Sequence, residues 1–323
     1  MTEYPQIWDF ADDREYLRRQ RGKEPMPPLM ICVAITGGAH GKEVNPNHPE
    51  TLEEQVEQTY EAYKLGACAV HIHSRDPEKG YAWVKSEPEI YRKINKAIRE
   101  KCPDIIINNT TGGGLGATRE ERVSSTEALP ELASLNCGPM MARATIPKRP
   151  PPLEGRPEDI PADVCVPITY GETEFFAQAM LERGVKPELE LYHPGQYEVV
   201  DNLIRKGLIK PPYFIQFVMG FQTSALPTLK GFLSMLDGLP ANSMFEVAGI
   251  MSAQVPMITL GILVGGHVRT GLEDVILYKK GELATTAKLV ERVVRLAELL
   301  DRPIATPAEA RRMLGISETP RQY

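Results

Sequence analysis

Gly66-Ala67-Cys68-Ala69-Val70-His71-Ile72-His73-Ser74-Arg75-Asp76 is a short apolar run that passes abruptly into histidines and charges. Side chains alternate along a β-strand, so His71 and His73 leave the carboxyl end of this one on the same side. The run is one of a series. Residues 29–35 lead into Thr36-Gly37-Gly38, Ile105-Ile106-Ile107 leads into Asn108 and then Thr110-Thr111-Gly112-Gly113-Gly114, and residues 132–136 end on Asn136. Further strands are predicted at 189–192, 213–218, 245–248 and 263–269.

Helical patterns fill the intervals. Thr51 with Glu54 and Thr118 with Glu121 have the spacing of capping boxes, and Val56, Tyr60 and Tyr63 give the first of these helices an apolar face that Gly66 ends. Pro88 stands at a helix start with Ile90, Ile94 and Ile98 following, and later helices end at Gly184, Gly207 and near Leu236. Eight strand–helix alternations over about 250 residues predict an α/β fold, a (β/α)8 TIM barrel with right-handed crossovers, ahead of a doubly wound open sheet. The expected organisation is an N-terminal arm over 1–28 carrying Trp8, Phe10 and Tyr16, a catalytic barrel over 29–316, and a tail over 317–323. A short final helix starts at Thr306-Pro307-Ala308-Glu309.

An insertion at about 139–167 follows strand four. Its prolines at 139, 147, 150, 151, 152, 157, 161 and 167 exclude regular helix or central strand over most of its length. It is expected to be either a lid over the site or a surface strap used in assembly.

The 323 residues are 42% hydrophobic and 25% charged, with a formal net charge of -6. That balance, with a pI near 5.7 and no basic block, excludes a general nucleic-acid role and favours small-molecule chemistry. Cys32, Cys68, Cys102, Cys137 and Cys165 show no Cys-x-x-Cys spacing and are expected to be reduced core thiols of a cytoplasmic protein. No long uncharged apolar stretch predicts a membrane span, and the acidic and basic N-terminus does not have the pattern of a secretory signal.

Active sites of such barrels lie at the carboxyl ends of the strands. Thr36, His71, His73, Arg75, Asp76, Asn108, Thr110, Asn136, His193, Arg269, Glu273 and Asp274 gather there by prediction. Two imidazoles and one carboxylate make a common zinc set with an open position, and Glu273, Asp274 or Asp76 is available as the third ligand. Asp76 has the alternative of pairing with Arg75, and His71 and His73 of being hydrogen-bonded strand histidines. His267 is expected to be a hydrogen-bonded core residue, His48 a surface residue, and Gly265-Gly266 a point of close backbone packing. The glycines after Thr111 have amides suited to an anion but match no Walker or dinucleotide motif.

Ala34-Ile35-Thr36-Gly37-Gly38, His71-Ile72-His73-Ser74-Arg75, Asn109-Thr110-Thr111-Gly112-Gly113, Gln216-Phe217-Val218-Met219-Gly220 and Gly266-His267-Val268-Arg269-Thr270-Gly271-Leu272-Glu273-Asp274 together resemble the β-keto acid cleavage enzymes, typified by 3-keto-5-aminohexanoate cleavage enzyme. The resemblance extends from about Leu29 to Gly315. It implies a zinc-dependent barrel that reacts a β-keto acid with acetyl-CoA to give acetoacetate and a new acyl-CoA. By matching positions it implies His71, His73 and Glu273 as zinc ligands and Asp274, Arg269 and Thr110 as the reacting polar groups, with Asp274 the base. Other divalent ions suit the same ligands.

Thr36, Asn108, Gly112, Gly113 and Asn136 are the expected substrate contacts beside them. Amino-substrate members carry a Glu where this chain has Ala39, followed by His40. A neutral or anionic substrate tail is therefore expected, with His40 as a contact. A homo-oligomer is expected, because the arm and the insertion offer surface beyond a closed barrel. Two other readings are a metal hydrolase of the amidohydrolase type and a non-catalytic metal-binding barrel; the former places its His-x-His on strand one and adds histidines on strands five and six, which this chain lacks apart from His193.

Overall fold

Apolar runs of four to seven residues, each closed by a polar or glycine turn, form the strands of a single closed sheet. A computed structural model describes residues 12–22, 26–114 and 116–323; Trp8 and Phe10 of the expected arm and Leu115 of the glycine loop lie outside them. In chain order the strands are β1 (Ile31–Ala34), β2 (Ala69–Ile72), β3 (Ile106–Asn109), β4 (Leu132–Asn136), β5 (Met140–Ile146), β6 (Ile160–Val166), β7 (Lys186–Leu191), β8 (Tyr213–Met219), β9 (Ser243–Gly249) and β10 (His267–Thr270). The helices are α1 (Asp13–Gln20), α2 (Leu52–Lys64), α3 (Pro88–Lys101), α4 (Arg119–Val123), α5 (Tyr170–Glu182), α6 (Tyr197–Arg205), α7 (Leu229–Leu236), α8 (Gln254–Leu263), α9 (Thr286–Leu299) and α10 (Pro307–Leu314).

Strands β1, β2, β3, β4, β7, β8, β9 and β10 pair in that order, and β10 returns to β1 to close the barrel. The pairing is parallel throughout, and a helix follows each strand before the next. This is the (β/α)8 barrel that the alternation predicts. Both capping boxes are present, with Thr51 accepting from the Glu54 amide and Thr118 from the Glu121 amide. The outer faces of the strands pack against the helices in two large apolar clusters, and the lower interior is filled by Met30, Cys32, Cys68, Ile106, Leu132, Phe214 and Met244. Helix α10 adds Ala310, Met313 and Leu314 to that lower cluster and plugs the amino-terminal end of the barrel. Among the described residues, no helix is long and apolar enough to cross a membrane.

Two departures from expectation concern backbone. The eighth strand starts at His267, because the apolar residues up to Leu263 continue α8. A short apolar run suits a buried helix as well as a strand, and the turn at Gly265 and Gly266 divides the two. Gly266 is pressed against Phe245, where a Cβ would fall 2.3 Å from the ring.

The insertion, in turn, is an antiparallel ribbon in which β5 and β6 pair from Met140 with Val166 to Ile146 with Ile160. Both strands of a two-stranded ribbon are edges, so Pro161 opposite Thr145 is tolerated. Met140, Ala142, Ala144 and Ile146 face the mouth of the barrel and roof its cavity. At the far end of the ribbon, Arg149 binds Glu50 and Glu43, and Arg156 binds Glu43, at 2.7 Å each. Gln222 brackets the middle, accepting from the Arg143 amide and donating to its carbonyl, both at 2.7 Å.

Four cysteines are buried and free as expected, whereas Cys165 is exposed on the outer side of the ribbon.

Glu131, just before β4, is a buried carboxylate that ties the lower rim together. It accepts from Arg99 Nη2 at 2.9 Å, Arg311 Nη2 at 2.7 Å, the Ile107 amide at 2.8 Å and the Arg321 amide at 3.0 Å. Glu131→Ala strands two buried guanidinium groups and is expected to cost about 3–5 kcal/mol of stability. A urea titration checks this, and a midpoint unchanged from the wild type would refute it.

Candidate active site

His71 lies near the end of β2, opposite Ala34 of β1 and Asn108 of β3, and His73 follows one residue beyond the strand. The alternation of the strand aims both rings into the barrel mouth, with centroids 5.2 Å apart. Glu273 enters from the turn after β10. Its Oε1 lies 3.3 Å from His73 Nε2 and 3.8 Å from His71 Nε2. Gly37 makes room for it: at φ +62° it holds a backbone that favours glycine, and a Cβ there would sit 2.7 Å from Glu273 Cγ.

One ligand atom from each of His71, His73 and Glu273 falls within 4.8 Å of the other two. His71 Nδ1, His73 Nδ1 and Glu273 Oε2 are buried without hydrogen-bond partners, which leaves polar capacity in the cluster unused. Burial holds His71 well below its ordinary value, hence neutral, which is the form that binds metals. Burial resists ionisation of Glu273, but the charge of Arg269 outweighs it and keeps the carboxyl well below its usual range. The donor set and its charge state therefore fit a divalent ion such as zinc. Asp76 is elsewhere, capping the Glu78 amide at 3.1 Å and lying 3.8 Å from Lys79, and Arg75 donates instead to the Thr36 carbonyl at 3.2 Å.

Asp274 adjoins the cluster. Arg269 grips it bidentately, Nε to Oδ2 at 3.1 Å and Nη2 to Oδ1 at 2.8 Å, and also reaches Glu273 at 2.5 Å and Glu190 at 3.4 Å. Burial pushes the Asp274 carboxyl up to about 6 against the pull of Arg269. A carboxyl there is ionised often enough at neutral pH to accept a proton, and its geometry is fixed by the fork that holds it.

These groups share a cavity of about 680 Å³ with Ala39, His40, Thr110, Gly112 and Asn136. Thr110 Oγ1 accepts from the Gly112 amide at 2.9 Å, which removes that amide from use, and its hydroxyl has the Ser134 hydroxyl 3.5 Å away as a second partner. Asn136 accepts from the Tyr192 hydroxyl at 3.0 Å, and His40 Nε2 lies 3.0 Å from the Leu272 carbonyl. Thr36, Asn108 and Gly113 do not line the cavity; Thr36 and Asn108 are fully buried beneath it. His193 is half-buried at the end of β7 and apart from the cavity.

Two histidine expectations meet different outcomes. His267 is a core residue whose Nδ1 accepts from the Met30 amide at 3.1 Å. His48 is fully buried rather than on the surface, because its ring bonds the Thr36 carbonyl beneath the site.

Three buried carboxyls, Glu188 and Glu190 on β7 and Glu246 on β9, are absent from the expected set. Glu246 is a lone acid in an apolar strand, and Glu188 and Glu190 alternate with leucines along β7, which is the signal available in the sequence. Burial raises all three above the usual carboxylate range, Glu190 to about 8, against the pull of the Arg269 guanidinium. Glu188 Oε2 is 3.9 Å from His71 Nδ1, behind the face that points at Glu273. With Cys32 and Glu246 it makes a second close grouping, but burial raises the Cys32 thiol strongly and opposes the thiolate a metal would need.

Residues 28–316 match the family model described as beta-keto acid cleavage enzyme. The chain is 38% identical over 294 residues, 91% of its length and 100% of the relative's, to a 3-keto-5-aminohexanoate cleavage enzyme of Fusobacterium nucleatum. It is 34% identical over 294 residues, 90% of its length and 95% of the relative's, to a 3-oxoadipate:acetyl-CoA acetyltransferase of Cupriavidus necator. A solved binary complex of ObcA with oxaloacetate, 16% identical, superposes on 84% of this chain and 68% of its own with a TM-score of 0.68 and shares the fold. The chain belongs to the β-keto acid cleavage enzymes, barrel acyltransferases that break a carbon–carbon bond with acetyl-CoA as cosubstrate.

Proposed function

We propose that His71, His73 and Glu273 hold a divalent ion, zinc foremost, and that the enzyme converts a β-keto acid with a neutral or anionic tail, plus acetyl-CoA, into acetoacetate and a new acyl-CoA. The observation that carries this reading is the convergence of those three side chains beside an aspartate gripped by Arg269. The chemistry an ion supplies there is Lewis-acid polarisation of the keto and carboxylate oxygens of the substrate.

The rest falls to side chains of this chain. Asp274 takes a proton from the carbon between the keto and carboxylate groups, and Arg269 keeps the carboxylate aimed at it. The resulting enolate attacks the thioester carbonyl of acetyl-CoA and expels the CoA thiolate. Thr110 donates its hydroxyl to the oxyanion that develops. Return of the thiolate to the original keto carbon breaks the adjacent carbon–carbon bond, and acetoacetate leaves after regaining a proton from Asp274.

The tail assignment rests on charge. Among the described residues lining the cavity, the acidic side chains are Glu190, Glu273 and Asp274, and each lies within 3.4 Å of Arg269. Ala39 offers nothing to an ammonium group. Purified enzyme is expected to hold one divalent ion per chain by elemental analysis and to lose acetoacetate formation after chelation, with recovery on adding zinc. In a panel of β-keto acids, neutral and anionic tails should be turned over well and cationic ones poorly. Preference for a cationic tail would overturn the tail assignment; hydrolysis without CoA, or a chain free of metal and fully active, would overturn the proposal.

A further inference from the structure

Arg122 stands in the same cavity, and the steps above leave it without a task. It follows the Thr118–Glu121 capping box in α4, is 6% exposed and lines the chamber. Three contacts fix it. Its Nε donates to the Thr111 carbonyl at 3.0 Å, its guanidinium carbon lies 5.0 Å from the centre of the Phe176 ring, and its stem lies against Gly113, where a Cβ would fall 2.7 Å from Arg122 Cγ.

The two terminal nitrogens make no hydrogen bond to any described residue. Other buried arginines differ: Arg99 is paired with Glu131, Arg149 with Glu43 and Glu50, and Arg269 with Asp274, while Arg302 is wrapped by backbone carbonyls. A guanidinium withdrawn from bulk water retains its charge and presents a planar fork matched to a carboxylate. Neither terminal nitrogen is among the fully buried atoms without a partner, so the fork opens onto the cavity as a pair of donors that a carboxylate can engage.

We infer that Arg122 receives the distal carboxylate of a β-keto dicarboxylic acid, whose reacting end lies at the His71–His73–Glu273 cluster. This rests on the function proposed above and narrows its substrate class. The two poles are one residue apart along the glycine loop: a Cβ on Gly112 would lie 3.7 Å from His73 Cε1, and its neighbour Gly113 abuts the stem of Arg122. Met140, Ala142, Val166 and Ile168 supply apolar wall for the methylenes of a tail. A phosphate of CoA offers the same anionic chemistry, so the test separates the two.

The test compares 3-oxoadipate with 3-oxohexanoate, acids of equal length that differ by the distal carboxylate, in the metal-loaded enzyme with acetyl-CoA. The wild type should prefer the dicarboxylate. Arg122→Met keeps the stem on Phe176 and Gly113 and is expected to lower the ratio of kcat/KM for the dicarboxylate over the neutral acid about 10- to 100-fold. Arg122→Lys, which keeps the charge without the fork, should lower it less, and the KM for acetyl-CoA should not move in either variant. A ratio unchanged in both variants overturns the inference. So does a wild type indifferent to the distal carboxylate, or a KM for acetyl-CoA that rises while the ratio holds, which would mark Arg122 as a CoA contact. A wild type that forms no acetoacetate from either acid overturns the proposed function itself, and this inference with it.

Discussion

Asp274→Asn is expected to take up metal as the wild type does and to form acetoacetate about 10²- to 10⁴-fold more slowly, the range spanned by loss of a general base. The substitution keeps size and shape, and Arg269 retains Glu273 and Glu190 as partners, so the cavity should persist. What disappears is the acceptor that two guanidinium hydrogen bonds, at 2.8 and 3.1 Å, hold in place. The effect should fall on kcat, because a proton abstracted in the transition state is not part of substrate binding. Steady-state kinetics with elemental analysis on the same sample decides it. Near-native turnover with metal bound would remove Asp274 from the role of base.

His73→Ala is expected to have the other large effect. It takes away one of three donors, and dialysed protein should retain far less than one ion per chain. Activity should drop by about a thousandfold or more, since Lewis-acid assistance contributes several kcal/mol to such a transition state. His73 is the apt choice because its Nε2 is the imidazole nitrogen nearer Glu273, at 3.3 Å against 3.8 Å for His71. The thermal midpoint should change little, as the ring sits beyond the end of β2 and outside the apolar clusters. Full metal content in this variant would rule out the ligand set.

The barrel was legible because it is written in a repeated local unit, an apolar run that ends in a turn and is followed by a capped helix. Where that unit is ambiguous the reading drifts, as at Leu263, where an apolar run belongs to α8 rather than to the strand. The ribbon at 139–167 was hidden for a different reason. Prolines forbid a central strand, yet they say nothing against two strands that are both edges.

At the site, His71, His73, Arg269, Glu273 and Asp274 could be gathered because barrel strands deliver their carboxyl ends to one face. Glu188, Glu190 and Glu246 are not legible in the same way, because an acid alternating with apolar residues along a strand reads as outward-facing; only a barrel interior turns it inward. Arg122 escaped for the opposite reason. One arginine after a capping box resembles any solvated helix residue until the fold folds it back over Phe176.

The ribbon that roofs the cavity divides its labour by parity. Inward positions Met140, Ala142, Ala144 and Ile146 touch the chamber, whereas the pins at Arg149 and Arg156 lie beyond them and the Gln222 bracket grasps only backbone. Side chains at the even-numbered positions can therefore be exchanged without loosening either attachment. Substitution at these positions is expected to reshape the ceiling of the chamber while the reacting groups on the barrel below keep their places.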